Sequence, residues 1–306
     1  DVAKKDALPQ LQLLNAVSPL LLALCANGPL LDAKPLEVLE GRDVCWRKLL
    51  HTSTVPADAR LFGMPINPAS SIVAYFFDWI FSFPFFFGLR DGKGFVLRNP
   101  KTTYADFFSR ETTEAVWFDG ATFTITPQLE DFVFLQHVTY PAVRLKYIMK
   151  EGVTLKDVLS AYTTRRDDTL LDCFEKVFLE CRSVSAQPQS DISAPAALLL
   201  GLQQRIADVR TFVQQKPYAF WHFLYSAVLR DGLRTEYKGV TVTDLVTPLL
   251  AIAKQGLAER GEGEEQFLSP FFERVAQREN PAQAALALWK KDGLVGLYQQ
   301  RDFRPS

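Results

Sequence analysis

The chain has 306 residues, long enough for one large domain or two domains of ordinary size. Hydrophobic residues make up 48% of it and include 24 phenylalanines, so the composition allows a large buried core. Positive and negative charges nearly cancel at −1 and the basic residues are scattered, which gives no sign of a nucleic-acid-binding surface or a polyacidic partner.

The cysteines and histidines give no sign of a metal site. The four cysteines stand at no paired metal-binding spacing and lie beside apolar residues; they are Cys25, Cys45, Cys173 and Cys181. The three histidines are too scattered for a zinc site. We therefore predict reduced, half-buried thiols in a cytoplasmic protein.

Two apolar stretches of the sequence approach the length of a membrane-spanning helix. Residues 17–31 are interrupted by polar residues and prolines, and residues 72–89 are interrupted by Asp78 and Pro84. A membrane-spanning helix needs about 20 largely uninterrupted apolar residues. Both stretches are therefore predicted to be buried core, and no membrane partner is expected.

The predicted elements follow one another in a mixed pattern. Helix signals fall at residues 8–26, at 69–80, after Thr126-Pro127, from Ala194, at 218–230, at 244–260 and from Pro281 to near Gly293. Strand signals fall at residues 83–89, 95–98, 143–149 and 174–184, with a hairpin turn at 90–94. Strands thus occur in the first two thirds, and the last third is predicted to be all helical.

This order of elements predicts an α+β fold. The only linker candidate, residues 183–193, is too short to separate independent domains. We therefore predict a single domain over residues 1–306, with a sheet-containing part at 1–185 and a helical part at 193–306.

The predicted strand at 174–184 carries Glu180 and Arg182. Alternate residues of a strand point to the same face, so the two side chains are predicted to stand side by side, roughly 6–7 Å apart at the backbone. A carboxylate and a guanidinium so placed could hold a cation and an anionic substrate together. The local pattern taken alone favours the alternative, a solvated ion pair that contributes little to stability.

Six segments, in a fixed order along the chain, match the sequence motifs of one protein family. They are Ala23-Leu24-Cys25-Ala26-Asn27-Gly28-Pro29, Gly41-Arg42-Asp43-Val44-Cys45-Trp46, Tyr75 to Asp91, Tyr140-Pro141-Ala142-Val143-Arg144-Leu145-Lys146, Leu179-Glu180-Cys181-Arg182, and Ala253-Lys254-Gln255-Gly256-Leu257 with Arg260. Together these segments resemble the glutamate–cysteine ligase family of ATP-dependent carboxylate–amine ligases.

The resemblance implies a glutamine-synthetase-like fold, in which a curved antiparallel sheet forms a funnel with helices outside. It implies a ligase that uses ATP and Mg²⁺ to join the γ-carboxylate of glutamate to the amine of cysteine, or of another amine, through an acyl phosphate. That reaction is the first step of glutathione biosynthesis.

The resemblance also implies roles for individual residues. Glu180 would be a metal ligand, and Arg182 would be catalytic by stabilising the transferring phosphoryl group. Substrate binding would fall to Arg42, Trp46, Arg144 and Lys146. For the last two residues, surface charges on an edge strand are an equally good interpretation.

The sequence departs from the family pattern at several points. Ser185 stands where the family has Asp, Gly28 stands where it has Ser, and residues 152–172 are predicted to be an insertion between two motifs. The family's N-terminal portion, with further metal-binding glutamates, has no counterpart in the sequence. We therefore expect the chain to associate with that missing portion or with another copy, because unpaired strand edges would otherwise be exposed.

Two functions follow from these features. The retained Glu180, Arg182, Arg42 and Trp46 favour an active ligase. Ser185 and the missing carboxylates favour a non-catalytic or regulatory homologue, or half-protein, that binds a partner chain on the same scaffold.

Overall fold

The computed structural model describes residues 2–42, 62–63, 65, 67–138 and 140–300. Its helices are α1 (Ala7–Cys25), α2 (Tyr104–Phe108), α3 (Leu129–Val138), α4 (Leu155–Thr164), α5 (Asp167–Asp172), α6 (Ala194–Gln204), α7 (Ile206–Gln214), α8 (Tyr218–Asp231), α9 (Val242–Arg260), α10 (Ser269–Gln277) and α11 (Pro281–Gln300). Its strands are β1 (Leu30–Leu31), β2 (Lys34–Pro35), β3 (Phe62–Gly63), β4 (Gly88–Arg90), β5 (Lys93–Leu97), β6 (Thr113–Trp117), β7 (Thr122–Ile125), β8 (Tyr140–Pro141), β9 (Val143–Met149), β10 (Phe174–Cys181), β11 (Glu236–Tyr237) and β12 (Val240–Thr241).

The predicted α+β class is confirmed, since helices combine with small antiparallel sheets. The chain divides into two compact units. Unit 1 comprises Asp1–Gln12 with Trp46–Glu180, and unit 2 comprises Leu13–Cys45 with Cys181–Ser306. The residues of the predicted helical part therefore group with an earlier segment of the chain, Leu13–Cys45.

Helix α1 is apolar on nearly all sides, as its sequence indicates. Helix α1 and the turn before it form one helical segment, Lys4–Cys25. Within the described residues, this is the one segment that is long and apolar enough to cross a membrane. However, 78% of its most apolar window is buried inside the structure. Such burial is that of a core helix, which agrees with the prediction for this stretch.

Unit 1 contains a four-stranded antiparallel sheet in the order β4-β5-β6-β7. The turn between β4 and β5 is formed by Asp91 and Gly92, with φ of 51° and 76°. Positive φ at both central residues is what a two-residue hairpin turn requires, and Asp-Gly is a preferred pair for it. The predicted hairpin is therefore confirmed, while the predicted strand over 83–89 shrinks to Gly88–Arg90.

The phenylalanine-rich run packs as the core of unit 1, as predicted. Ala74–Trp79 forms a π-helix rather than the expected α-helix, and it buries Phe76. The Phe76 ring lies 5.6 Å from Phe132 and 5.5 Å from Tyr147, and the ring of Phe174 stacks on Tyr147 at 4.5 Å. Such edge and stacked aromatic contacts are favourable beyond the area they bury.

Strands β9 and β10 also belong to unit 1 and pair with each other. The Lys150 amide donates to the Cys173 carbonyl at 2.9 Å, so the end of β9 adjoins the start of β10. Helices α4 and α5 connect the two strands and account for the segment predicted to be an insertion. On its other edge β10 bridges to Val2, whose amide donates to the Val177 carbonyl.

Unit 2 is built mainly from helices α6 to α11. Helices α6 and α9 cross closely, as the backbones near Gly201 and Gly256 show: a β-carbon added at Gly256 would lie 2.2 Å from the Gly201 carbonyl oxygen. The prediction of an all-helical last third is wrong at one place, since β11 and β12 form a short antiparallel hairpin. Helix α11 passes the predicted end at Gly293 with a kink, where φ is 64° and ψ is −158°.

Candidate functional site

Unit 1 brings three predicted site residues together. Arg144 Nη2 lies 2.7 Å from Glu180 Oε2, and Lys146 Nζ lies 3.7 Å from the same oxygen. Both cations come from one face of β9, two residues apart, and Glu180 comes from the neighbouring β10. We call these three residues the β9–β10 cluster.

The three side chains differ in how well a ligand can reach them. The Arg144 side chain is only 6% exposed, whereas those of Lys146 and Glu180 are each 34% exposed. A ligand therefore reaches Lys146 and Glu180 directly. Arg144 lies beneath them and fixes the carboxylate with a charge-assisted hydrogen bond.

A shift in the alternation of β10 explains why Glu180 joins this cluster. Phe174 and Val177 are buried, while the two residues between them, Glu175 and Lys176, are both exposed. In a regular strand only one residue separates neighbours on the same face. Counted from the buried Val177 by regular alternation, Glu180 lies on the opposite face of β10 from the core.

Tyr75 supports the cluster from the core side. Its hydroxyl accepts a hydrogen bond from the backbone amide of Leu145 at 3.2 Å. Burial raises the pKa of Tyr75 to about 12, an effect that the nearby Arg144 charge only partly offsets. The phenol therefore stays protonated and helps to fix the position of β9.

His137, at the end of α3, lies within the electrostatic influence of the same cluster. Partial burial of its imidazole lowers the pKa, and the positive charges of Lys146 and Arg144 lower it further, while Glu180 acts in the opposite direction. No motif or local spacing connects this histidine with residues 144–180.

The side chains around Glu180 differ from the ligands that Mg²⁺ requires. Magnesium prefers several oxygen ligands, most often from carboxylates and water. Across the described ranges, no three His, Cys, Asp or Glu side chains gather as a metal site, and the Glu180 carboxylate is occupied by two cations. These residues do not fit a magnesium ion at Glu180, so the role of metal ligand stays a prediction from the resemblance.

Unit 2 holds a second polar group around Glu40, whose side chain is only 6% exposed. One carboxylate oxygen accepts from the hydroxyl of Ser185 and, at 3.5 Å, from the amide of Asn27. The other accepts from the Arg42 amide at 3.4 Å and lies 3.8 Å from Arg42 Nε. Arg42 also donates from Nη2 to the carbonyl oxygen of Arg182. We call this set the Glu40 cluster.

The predicted pairing of Glu180 with Arg182 on one strand needs correction. Strand β10 ends at Cys181, so Arg182 lies beyond the strand and strand alternation does not apply to it. Glu180 instead pairs with cations on the neighbouring strand. Trp46 lies outside the described residues.

Glu40 is the main functional candidate that the sequence did not reveal. It lies outside the predicted helices and strands, and a lone carboxylate there carries no periodic or motif signal. The structure shows that it supplies a buried carboxylate to Ser185, the position where the sequence lacks the expected Asp.

The comparisons with known proteins add no relative. No protein-family model matches the chain, and no curated protein matches it at a significant level.

Proposed function

We propose that the chain is an ATP-dependent carboxylate–amine ligase of the glutamate–cysteine ligase type. The β9–β10 cluster is the observation that carries the proposal. It combines an accessible ammonium, an accessible carboxylate and a buried guanidinium that orients them, which suits recognition of an anionic or zwitterionic substrate.

The placement of the motifs supports the same proposal. The segment ending in Arg144-Leu145-Lys146 and the segment containing Leu179-Glu180 lie on two strands that pair with each other. Two motifs distant in the sequence thus contribute charged side chains to one cluster.

The proposed reaction has two steps. An oxygen of the glutamate γ-carboxylate attacks the terminal phosphorus of ATP, and ADP leaves, giving an acyl phosphate. The amine nitrogen then attacks the acyl carbon, phosphate leaves with the bonding electron pair, and the nitrogen loses a proton to water.

Residues of this chain would bind and orient the reactants. Lys146 would hold an anionic group of the substrate, and Arg144 would position Glu180. Separately, the resemblance assigns to Arg42, which the Glu40 cluster holds in place, the binding of an amino-acid carboxylate, and to Arg182 the stabilisation of the phosphoryl group. The fold proposed for this activity is the glutamine-synthetase-like one that the resemblance implies.

The proposal is tested by measuring ADP release with glutamate, ATP and magnesium, with and without cysteine. We expect cysteine-dependent release that falls by about a hundredfold in Lys146→Gln and in Glu180→Gln, because each change removes a charge from the cluster. Glu175→Gln is the matched control, since Glu175 lies exposed on the same strand. Equal rates in all three variants would contradict the site.

The second candidate is a non-catalytic homologue that binds a partner chain. It is favoured by the lack of a three-ligand metal site in the described part of the chain and by the pairing of Glu180 with two cations. Absence of cysteine-dependent ADP release from the wild-type protein would favour this candidate over the ligase.

A further inference from the structure

A cleft of about 380 Å³ lies in unit 2, among residues that neither the motifs nor the proposed ligase function involve. Its volume falls in the range of small-molecule sites, roughly 300–1,000 Å³. It is lined by Leu39, Arg230, Asp231, Arg234, Gln283, Leu286, Ala287 and Lys290.

The cleft concentrates positive charge. Three cations and one carboxylate line it, although the whole chain carries a net charge of only −1. Arg230 and Lys290 are exposed and form no ion pair within the ranges that the structure describes. Their charges are therefore available to a ligand.

Arg234 is held in place at the wall of the cleft. Its Nε donates to the Arg278 carbonyl at 3.4 Å, and its Nη2 lies 3.3 Å from Glu279 Oε1. Within the part of the chain that the structure describes, Nη1 of this guanidinium makes no hydrogen bond, so it can donate to a ligand. An oriented guanidinium is well suited to phosphate, whose oxygens accept hydrogen bonds from such a planar donor.

The floor and walls of the cleft are fixed by packing. Leu39 is buried, and its amide donates to the Leu229 carbonyl at 2.8 Å. Gln283 Nε2 donates to the Asp231 carbonyl at 3.3 Å, which ties α11 to the end of α8. Gly232 allows this close approach, since a β-carbon there would lie 2.7 Å from the Leu39 side chain.

We propose that this cleft binds a small phosphate ester with an apolar substituent. The phosphate would contact Arg230, Arg234 and Lys290, and the substituent would rest on Leu39 and Leu286. Asp231 adds a carboxylate that can accept a hydrogen bond from a hydroxyl group of the ligand. The proposal is independent of the ligase function, because its residues lie in neither of the two clusters.

Arg230 has an alternative structural role, since it lies in the last turn of α8. A cation there interacts favourably with the negative end of the helix dipole. If Arg230 has only this structural role, its removal should change the thermal stability of the protein. Ligand binding should then not depend on Lys290. The two roles are therefore distinguished by a variant that includes Lys290.

The first experiment is calorimetric titration of the full chain with pyrophosphate at about 0.15 M ionic strength, where distant charges are screened, and without added metal. We expect saturable binding that weakens by at least about tenfold in Arg230→Gln/Lys290→Gln, because two charges are lost from the cleft. The control is Arg210→Gln/Lys291→Gln, which removes the same charge outside the cleft and should change the affinity by less than about twofold. Thermal melts of both variants check that the fold is retained.

Two results would overturn the proposal. One is the absence of saturable pyrophosphate binding to the wild-type chain. The other is binding that persists in Arg230→Gln/Lys290→Gln but is lost in Lys146→Gln, which would assign the anion to the β9–β10 cluster. That second result would leave the proposed ligase site intact, so the failure of one proposal is distinguishable from that of the other.

A second titration tests the apolar floor. We expect n-butyl phosphate to bind at least about fivefold more tightly than methyl phosphate, because its additional methylene groups leave water. Replacing Leu286 by Asn should remove most of this preference while leaving the affinity for pyrophosphate unchanged. Equal affinities for the two esters in the wild-type chain would overturn the apolar part of the proposal.

Discussion

At the scale of single residues, charged side chains of this protein are positioned by specific donors. Arg144 orients Glu180, and Ser185 donates to the buried Glu40. Where a donor stabilises the charged form of a carboxylate, it lowers the pKa of that carboxylate. Two aspartates at helix starts show the effect without involving either cluster.

Asp157 and Asp106 close capping boxes at the starts of α4 and α2. The hydroxyl of Thr154 donates to Asp157 at 2.7 Å and its amide donates at 2.8 Å, and these bonds lower the pKa of Asp157 below its usual value of 3.8. Thr103 lowers the pKa of Asp106 in the same way. In each case the folded-state pKa lies below that of the unfolded chain. The stabilisation is therefore present above about pH 3.8 and is lost as the pH falls through the folded-state pKa.

We predict that Thr154→Val raises the pKa of Asp157 towards its usual value, because the hydroxyl donor is removed while the backbone donor remains. NMR titration of the side-chain carboxyl groups measures this directly. Asp106 is the internal control, and its pKa should not move in the same variant. A pKa of Asp157 that is unchanged by the substitution would contradict the assigned cause.

The partner of Glu180 illustrates what the sequence can and cannot reveal about a site. The period of two along a strand puts Arg144 and Lys146 on one face of β9, where both contact Glu180. The same rule applied to Glu180 and Arg182 failed because β10 ends between them. Cross-strand partners depend on register and on the irregular alternation at Glu175, and neither can be read from local spacing.

At the scale of elements, strong local sequence signals were sufficient to predict the helices and strands that carry them. The long apolar run before Asn27-Gly28-Pro29 predicted α1 to within a residue at each end, and Gly261 marks the end of α9 as expected. Strands β6 and β7 were not predicted, since they are short and carry mixed residues. The π-helix at Ala74–Trp79 was not predicted either, because the choice between helix types depends on tertiary packing of its aromatic side chains.

The glycine in α9 is explained by helix packing. A β-carbon at Gly256 would lie 2.2 Å from the Gly201 carbonyl oxygen, and one at Gly201 would lie 2.2 Å from the carbonyl oxygen of Ala253. Backbone atoms cannot move aside as the end of a flexible side chain can. Gly256, which belongs to one of the family-like segments, is therefore required for the approach of α6 to α9.

We predict that Gly256→Ala destabilises the protein by about 2 kcal/mol, because the added methyl group forces the helices apart. The direction of the change in stability is informative, because Gly→Ala within an ordinary helix stabilises a protein by about 1 kcal/mol. Equilibrium urea unfolding measures the difference, with Gln255→Ala at the neighbouring exposed position as control. An unchanged or higher stability of Gly256→Ala would contradict the close crossing.

At the scale of the whole molecule, neither compact unit is continuous in sequence. Leu13–Cys45 groups with the C-terminal helices, a division that local patterns do not reveal because it rests on long-range contacts. The carbonyls at the end of α1 show how unit 2 is closed. They accept hydrogen bonds from donors far along the chain: Ala23 from Asn280, Leu24 from Arg274, Cys25 from Gln187 and Ala26 from Ala282.

Arg274 makes the most contacts of these donors. Its side chain is buried and donates to the Leu24 carbonyl at 2.8 Å, to Gln187 Oε1 at 2.7 Å and to Asp191 Oδ2 at 2.6 Å. The Asp191 carboxylate is itself largely buried. A single guanidinium thus joins three segments of unit 2 that are distant in sequence, and its positive charge compensates a carboxylate that has little access to water.

We predict that Arg274→Gln destabilises the protein by about 3 kcal/mol, because it leaves the Asp191 carboxylate and the Leu24 carbonyl without their donor. Arg210→Gln removes the same charge from an exposed position of unit 2 and should change the free energy of unfolding by less than about 0.5 kcal/mol. Urea unfolding followed by circular dichroism compares the two variants. If Arg274→Gln costs no more than the control, then closure of unit 2 rests on apolar packing alone, and the polar contacts at the end of α1 follow from the fold rather than stabilise it.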